Sequence, residues 1–214
     1  MKMKAVRHHV IVILMAILAM APAAQAKTLQ LVGLGDSLMA GYQLAPTESY
    51  TAQLEAALKA KGHDVAIANA GVSGDTTSAG LSRVDWSVPD GTDGVILELG
   101  ANDALRGVAP EQTRKNLEAI IQRLRERKIP VLLIGILAPP NMGGDYGQRF
   151  NAIYTDLAQQ YQVPLYPFFL DGVTTHSDLQ LQDGMHPNAK GVAVMVQRSL
   201  ESVESFIKTL SPGG

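Results

Sequence analysis

"LVGLGDSLMAGYQL" (residues 31–44) carries an apolar run, Leu29 to Leu34, into a Gly-Asp-Ser turn. A short apolar run that ends at turn residues is the pattern of a strand buried on both faces. Ser37 therefore stands just past the end of an interior strand. Such a serine either caps the next element or is a nucleophile held at the rim of a sheet. The surrounding sequence separates the two.

Working outward from that strand, apolar runs recur at Val65–Ala68, Val95–Leu99 and Val131–Leu137, with a short one near Leu165–Phe168. Helical patterns lie between and after them. Tyr50–Lys61 ends at Gly62. Glu111–Lys128 places Leu117, Ile120, Ile121 and Leu124 on one face, the i, i+3, i+4, i+7 spacing of an amphipathic helix. Gln148–Gln160 and about Asn188–Ile207 come next, the latter with Val192, Met195, Val196, Ser199 and Val203 along one side. Strands separated by helices imply right-handed crossovers and a parallel sheet covered on both faces. The expected fold is a three-layer α/β/α domain around a flavodoxin-like five-stranded sheet of order 2-1-3-4-5. The stretch "APPNMGGDYGQ", Ala138–Gln148, reads as an irregular loop that could shape a site.

The first residues stand apart. Lys2, Lys4 and Arg7 precede an unbroken apolar run, Val10–Met20, and Ala24-Gln25-Ala26 forms a small-residue cleavage site. This is the pattern of a secretory signal peptide, cut after Ala26. The run is shorter than the roughly 20 residues a membrane span requires. Expected, then, are a leader over 1–26, one domain over 27–214, a mature chain without a membrane span, and a periplasmic or secreted home. Three of the 18 basic side chains and none of the 20 acidic ones lie in the leader, so the remainder is acidic. That excludes the basic footprint of a nucleic-acid binder. The absence of cysteine excludes disulfides, thiol catalysis and thiolate metal sites.

In open parallel sheets, ligands bind beyond the carboxyl ends of the strands, where the strand order reverses. Strand one is followed there by Ser37, strand two by "NAGVSGDTT" with Gly71, and strand three by "GANDALRG" with Asn102. The fifth is followed by "DGMHPNAKG" with Asp183 and His186. In the order 2-1-3-4-5, Gly71, Ser37 and Asn102 become neighbours. Serine needs a base within hydrogen-bond reach. His63 enters strand two at the wrong end of the sheet. His176 lies on a plausible side without a preceding acid. His186 comes three residues after Asp183, so a carboxylate can hold Nδ1–H and leave Nε2 for the serine. The backbone N–H groups of Ser37 and Gly71 and the Asn102 amide could converge on a developing oxyanion. Taken singly, Gly71 reads as a turn glycine, Asn102 as a helix cap and His186 as a cap of the last helix. Taken together, in this order on one edge, they read as a catalytic set.

At these residues the chain resembles the SGNH hydrolases, also called GDSL esterases and lipases. The matching blocks are "GDSL" (35–38), the glycine of "NAGVSGDTT", "GAND" (100–103) and "DGMHP" (183–187). The resemblance implies the SGNH-hydrolase fold, with Ser37 as nucleophile, Asp183 and His186 completing the triad, and Gly71 and Asn102 as oxyanion donors. "GDSLMAGYQL", "GVSGDTT" and "GILAPPNMGGDYGQRFN" are most similar to the exported bacterial arylesterase, acyl-CoA thioesterase and lysophospholipase subgroup. The expected activity is hydrolysis of aryl and short-to-medium acyl esters, extending to thioesters and lysophospholipids, with no metal or organic cofactor. Leu38, Leu105, Leu137, Met142 and Met185 are candidates to receive the acyl chain, although each taken alone fits plain core packing. A carbohydrate O-deacetylase is the alternative inside the family. A nucleotide- or ligand-binding doubly wound domain is the alternative outside it. "GLGDSL" opens like a phosphate-binding turn, but Leu38 stands where that fingerprint wants glycine.

Overall fold

The computed structural model describes residues 27–210. The segment read as a leader, 1–26, and the tail, 211–214, lie outside the described residues. Five strands form one parallel sheet: β1 (Leu29–Gly35), β2 (Val65–Gly71), β3 (Gly94–Glu98), β4 (Val131–Ile134) and β5 (Leu165–Tyr166). Their order is β2-β1-β3-β4-β5, as expected, and Gly35 pairs with Gly71 at the carboxyl edge. Among the described residues, seven helices surround it: α1 (Ser37–Ala40), α2 (Tyr50–Ala60), α3 (Thr77–Ser87), α4 (Ala101–Leu105), α5 (Pro110–Glu126), α6 (Gly144–Tyr161) and α7 (Ala189–Leu210).

The sheet core is set by composition. Every residue of β3 and β4 is buried. Helix α2 packs on α7, while α3 packs on α5 and α5 on α6. The chain crosses from β1 to β2 in one direction and then runs back past β1 to β3. Right-handed crossovers therefore send α2 to one face and α3, α5 and α6 to the other. The apolar stripes expected on α5 and α7 are buried along their length. Between α2 and α7, the Tyr50 hydroxyl and Ser199 Oγ lie 2.7 Å apart, so the buried polar tip of Tyr50 is satisfied.

Three local expectations change. β2 runs on to Gly71 rather than stopping at Ala68, and β4 ends at Ile134, three residues before Leu137. Helix α3 carries no apolar stripe because its buried positions are Thr77, Gly80, Arg83 and Val84. Its signal is local instead: Thr76 caps it by accepting the Ala79 N–H. The stretch Ala138–Gln148 is only half a loop. It holds a 3-10 turn, Pro140–Met142, and then the first turn of α6 from Gly144, a start its glycines disguise.

Candidate active site

Ser37 is the first residue of α1, directly after the β1 edge. Asp36 caps that short helix, its Oδ1 accepting the Leu38 N–H at 3.0 Å. Gly41 ends it in a left-handed conformation. The serine is thereby held where a buried strand turns into a helix.

His186 lies 149 positions further along, and its Nε2 is 2.9 Å from Ser37 Oγ. Its Nδ1 is 2.6 Å from Asp183 Oδ2. The other Asp183 oxygen accepts the backbone N–H groups of Met185 and His186, at 2.9 and 3.0 Å. The His186 N–H, then the Met185 N–H and the His186 ring, hold the Asp183 carboxyl down at about 2. The loop is closed behind them. Leu181 N–H donates to His186 O, Asn188 N–H donates to Leu179 O, and Asn188 Nδ2 reaches the carbonyls of Asp178 and Gln180. Asn188 also caps α7, its Oδ1 accepting the N–H groups of Lys190 and Gly191. The capping role weighed for His186 thus belongs to Asn188, and the imidazole is left for Ser37. The Tyr42 ring packs on that imidazole, with centroids 4.5 Å apart. His63 pairs with Glu204 at 2.9 Å, and His176 is exposed before a 3-10 turn.

Asn102 sits inside α4 rather than capping it. One of its amide hydrogens is given to Asp36 Oδ2 at 3.2 Å, which fixes the orientation of the amide and leaves the other hydrogen without a protein acceptor among the described residues. Asp103, the next residue, is buried and accepts from Thr77 N–H, Thr77 Oγ1 and Thr113 Oγ1, tying α4 to the start of α3.

Gly71 requires a correction. It lies beside Gly35, as the strand order demands, but its N–H is already given to Asn69 Oδ1 at 2.9 Å. The backbone of Ala40 occupies the space where a Cβ would stand. Glycine is needed here so that α1 can pack against the end of β2, not to present a donor. Three residues on, Gly74 forms the corner of a turn closed by Asp75 N–H to Val72 O, at 3.1 Å, with a φ of +87° that favours glycine. Among the described residues, its N–H has no protein acceptor. Arg106, from the end of α4, donates to the Gly74 carbonyl at 2.8 Å and so ties this corner to the helix that carries Asn102. Gly71 was read from "NAGVSGDTT" without weighing Gly74, whose one local signal is the "SGD" turn triplet.

Beneath Ser37 lie two buried acids that the sequence reading did not single out. Glu98 Oε2 accepts the Asp36 N–H at 3.2 Å, and Glu98 Oε1 has no partner among the described residues. Burial, reinforced by the neighbouring Asp36 charge, pushes Glu98 well above the usual carboxylate range. Burial also raises Asp36, to about 6, against the pull of the Leu38 N–H, the Asn102 amide and His186.

Of the apolar candidates, Leu105 is 53% exposed, and Leu137 and Met185 are also exposed near the site's edge. Met142 is half-buried. Leu38 is only 5% exposed and belongs to the core, because the first turn of α1 points it inward. It is not free to receive an acyl chain. Tyr42 and Val72 are exposed apolar side chains that the sequence reading missed.

The chain matches the model of the GDSL-like lipase/acylhydrolase family over residues 34–194. It is 42% identical over 159 residues to an arylesterase of Vibrio mimicus, spanning 74% of this chain and 80% of that protein. To the thioesterase 1/protease 1/lysophospholipase L1 of Escherichia coli it is 39% identical over 167 residues, 78% of each. The crystal structure of AlinE4, described as an SGNH-hydrolase family esterase, superposes with a TM-score of 0.72 at 44% identity. The match covers 86% of this chain and 99% of that one.

Proposed function

The chain belongs to the GDSL-like lipase/acylhydrolase family and is a serine hydrolase of ester bonds, and from that premise we propose that Ser37 is its nucleophile, His186 its general base, and Asp183 the carboxylate that orients the base. One observation carries this assignment: Asp183, His186 and Ser37 form an unbroken line of hydrogen bonds at 2.6 and 2.9 Å. His186 Nε2 takes the Ser37 proton as Oγ attacks the ester carbonyl. The tetrahedral oxyanion is held by the Ser37 N–H, the other Asn102 amide hydrogen and the Gly74 N–H, which takes the part first expected of Gly71. His186 then gives its proton to the leaving alcohol or thiol. It next takes a proton from water, whose oxygen attacks the acyl-enzyme. Collapse of the second tetrahedral adduct releases the acid and returns the proton to Ser37. Asp183 stays ionised throughout and steadies the imidazolium.

The substrates are aryl and short-to-medium acyl esters, with acyl thioesters and lysophospholipids as further members. The named activities of the relatives support this range, as does the exposed apolar rim of Tyr42, Val72, Leu105, Leu137 and Met185. The protein works after export, in the periplasm or secreted beyond it. The basic start, apolar run and Ala-Gln-Ala site of residues 1–26 support that placement. Among the described residues, no helix is long and apolar enough to cross a membrane.

The test is active-site labelling with a fluorophosphonate, together with rates on p-nitrophenyl esters of rising acyl length, an acyl-CoA, a lysophospholipid and an acetylated sugar. One label per chain at Ser37, absent from Ser37→Ala, with faster turnover of aryl and acyl esters than of the sugar, is the expected result. An unlabelled protein that retains a nucleotide overturns the assignment. Preference for the sugar replaces esterase by deacetylase.

A further inference from the structure

Arg83 is a buried cation with more partners than its place on α3 requires. The residue is 5% exposed. Its Nη2 donates to the Gly35 carbonyl at 2.8 Å. Its Nη1 donates to the Ala70 carbonyl at 2.8 Å and to Ser87 Oγ at 2.9 Å. Its Nε donates to Asp75 Oδ2 at 2.6 Å, a pair largely sealed from solvent. One guanidinium therefore joins the carboxyl end of β1, the carboxyl end of β2 and the turn after β2.

Those three attachment points surround the backbone donors assigned above. Gly35 lies two residues before Ser37. The Gly35–Asp36 peptide is held at both poles, its carbonyl by Arg83 and its N–H by Glu98. Asp75 is the residue directly after Gly74. The Gly74–Asp75 corner is likewise held twice, by Arg106 on the Gly74 carbonyl and by Arg83 on the Asp75 carboxylate. The Gly35 carbonyl also accepts the Val72 N–H at 3.0 Å, so the turn and the nucleophile's strand already touch there. Arg83 makes that junction rigid. Only a planar fork carrying a permanent charge can reach two carbonyls and a carboxylate at once, which a lysine ammonium on a flexible stem cannot.

We propose that Arg83 is a positioning residue for ester hydrolysis: it sets the distance between the Ser37 N–H and the Gly74 N–H, and so the fit of the oxyanion site to the tetrahedral adduct. The proposal rests on the assignment of those two donors. Arg83 touches neither substrate nor Ser37 Oγ. Its effect appears in the step where charge develops on the carbonyl oxygen, and therefore in kcat rather than KM. A displacement of about 1 Å between such groups costs on the order of 100-fold in rate.

The experiment compares Arg83→Lys, Asp75→Asn and a stability control, Leu124→Ala. Leu124 is buried near the far end of α5, remote from the lip. kcat and KM for p-nitrophenyl acetate are measured well below every melting temperature, beside circular dichroism and the melting temperature itself. Expected for Arg83→Lys is a kcat ~10–100-fold lower with KM within about threefold. Leu124→Ala, although destabilised, should keep its kcat within about twofold. A wild-type kcat in folded Arg83→Lys overturns the proposal, and so does an equal kcat loss in Leu124→Ala. Should Arg83→Lys fail to fold, Asp75→Asn decides: a several-fold fall in kcat at constant KM supports the proposal, and an unchanged kcat overturns it. Ser37→Ala is run alongside. If it keeps wild-type turnover, Ser37 is not the nucleophile and the site around it that those donors serve fails with it, which is a different result from an inert Arg83.

Discussion

On the outer side of Ser37, in the loop before α7, Asp183 is exposed and held ionised. On the inner side, at the ends of β1 and β3, Asp36 and Glu98 are buried and pushed towards the neutral form. The contrast arises first from burial, which raises Asp36 and Glu98, and then from donors, which outweigh the slight burial of Asp183. Asp183 receives two backbone N–H groups and the imidazole. Glu98 has one oxygen that accepts the Asp36 N–H and another with no partner among the described residues. A catalytic serine gains from this asymmetry. Outside, a full negative charge stabilises the imidazolium that forms during attack. Inside, a second full charge would oppose the developing oxyanion. The protein places its charge-stabilised acid behind the base and acids pushed towards the neutral form behind the nucleophile.

The largest break in that contrast comes from removing the outer charge. Asp183→Asn keeps a side chain of the same shape but can leave the imidazole in the wrong tautomer. Turnover of p-nitrophenyl acetate should fall on the order of 10⁴-fold, somewhat less than for Ser37→Ala. On the inner side, Glu98→Gln replaces an acid that burial pushes towards its neutral form by a neutral isostere, and kcat should stay within a few-fold. Steady-state rates on the purified, folded variants check both. Equal losses in the two variants would show that the inner acid is charged and participates.

A smaller effect sharpens the same contrast through pH. A buried carboxyl with a raised folded pKa binds its proton more tightly in the native state. Its contribution is therefore fully present below the unfolded value and is lost as pH rises through the folded one. For Asp36 that window runs from 3.8 to about 6, and Glu98 adds a loss of the same sign above 4.5. Asp183 acts oppositely: its contribution is lost only as pH falls from 3.8 through about 2. Urea unfolding should thus show stability decreasing by a few kcal/mol between about pH 4 and pH 7. Glu98→Gln should flatten this slope, because it removes one titrating group and the like charge facing the other. A slope identical in the two proteins would place the coupling elsewhere.

The two sides also differ in how legibly the sequence announces them. The outer side is local: Asp183 and His186 are three residues apart, and only their meeting with Ser37 needed the strand order. That order was readable because β1, β3 and β4 are predominantly apolar and α5 and α7 carry clear stripes. The inner side is non-local. Glu98 sits in a strand that reads as apolar, and nothing nearby marks its Oε2 as the acceptor for Asp36. Helix α3 escaped notice because it buries an arginine and a threonine where a stripe would show leucines. The glycines of "NAGVSGDTT" are alike in composition. They differ in which N–H is already spent and which φ is positive, facts that exist only once Asn69 and Asp75 have been placed.

The weakest expected effect concerns the rim. Leu38 and Leu105 are both apolar residues on the short helices that follow β1 and β3, yet one is 5% exposed and the other 53%. A side chain open to solvent contributes to substrate contact without contributing to the core. Leu105→Ala should leave the melting temperature almost unchanged, since exposed substitutions shift stability by about 0.5 kcal/mol or less. If the acyl chain lies against Leu105, contacts covering one or two methylenes are lost. At ~0.8 kcal/mol per methylene, kcat/KM for a p-nitrophenyl hexanoate should fall about 4- to 15-fold relative to the acetate. The acetate is too short to reach the rim and serves as the internal reference. An equal fall on both esters would mean that Leu105 disturbs Asn102, three residues before it on α4, and the acyl path would then have to leave Ser37 by way of Leu137 and Met185.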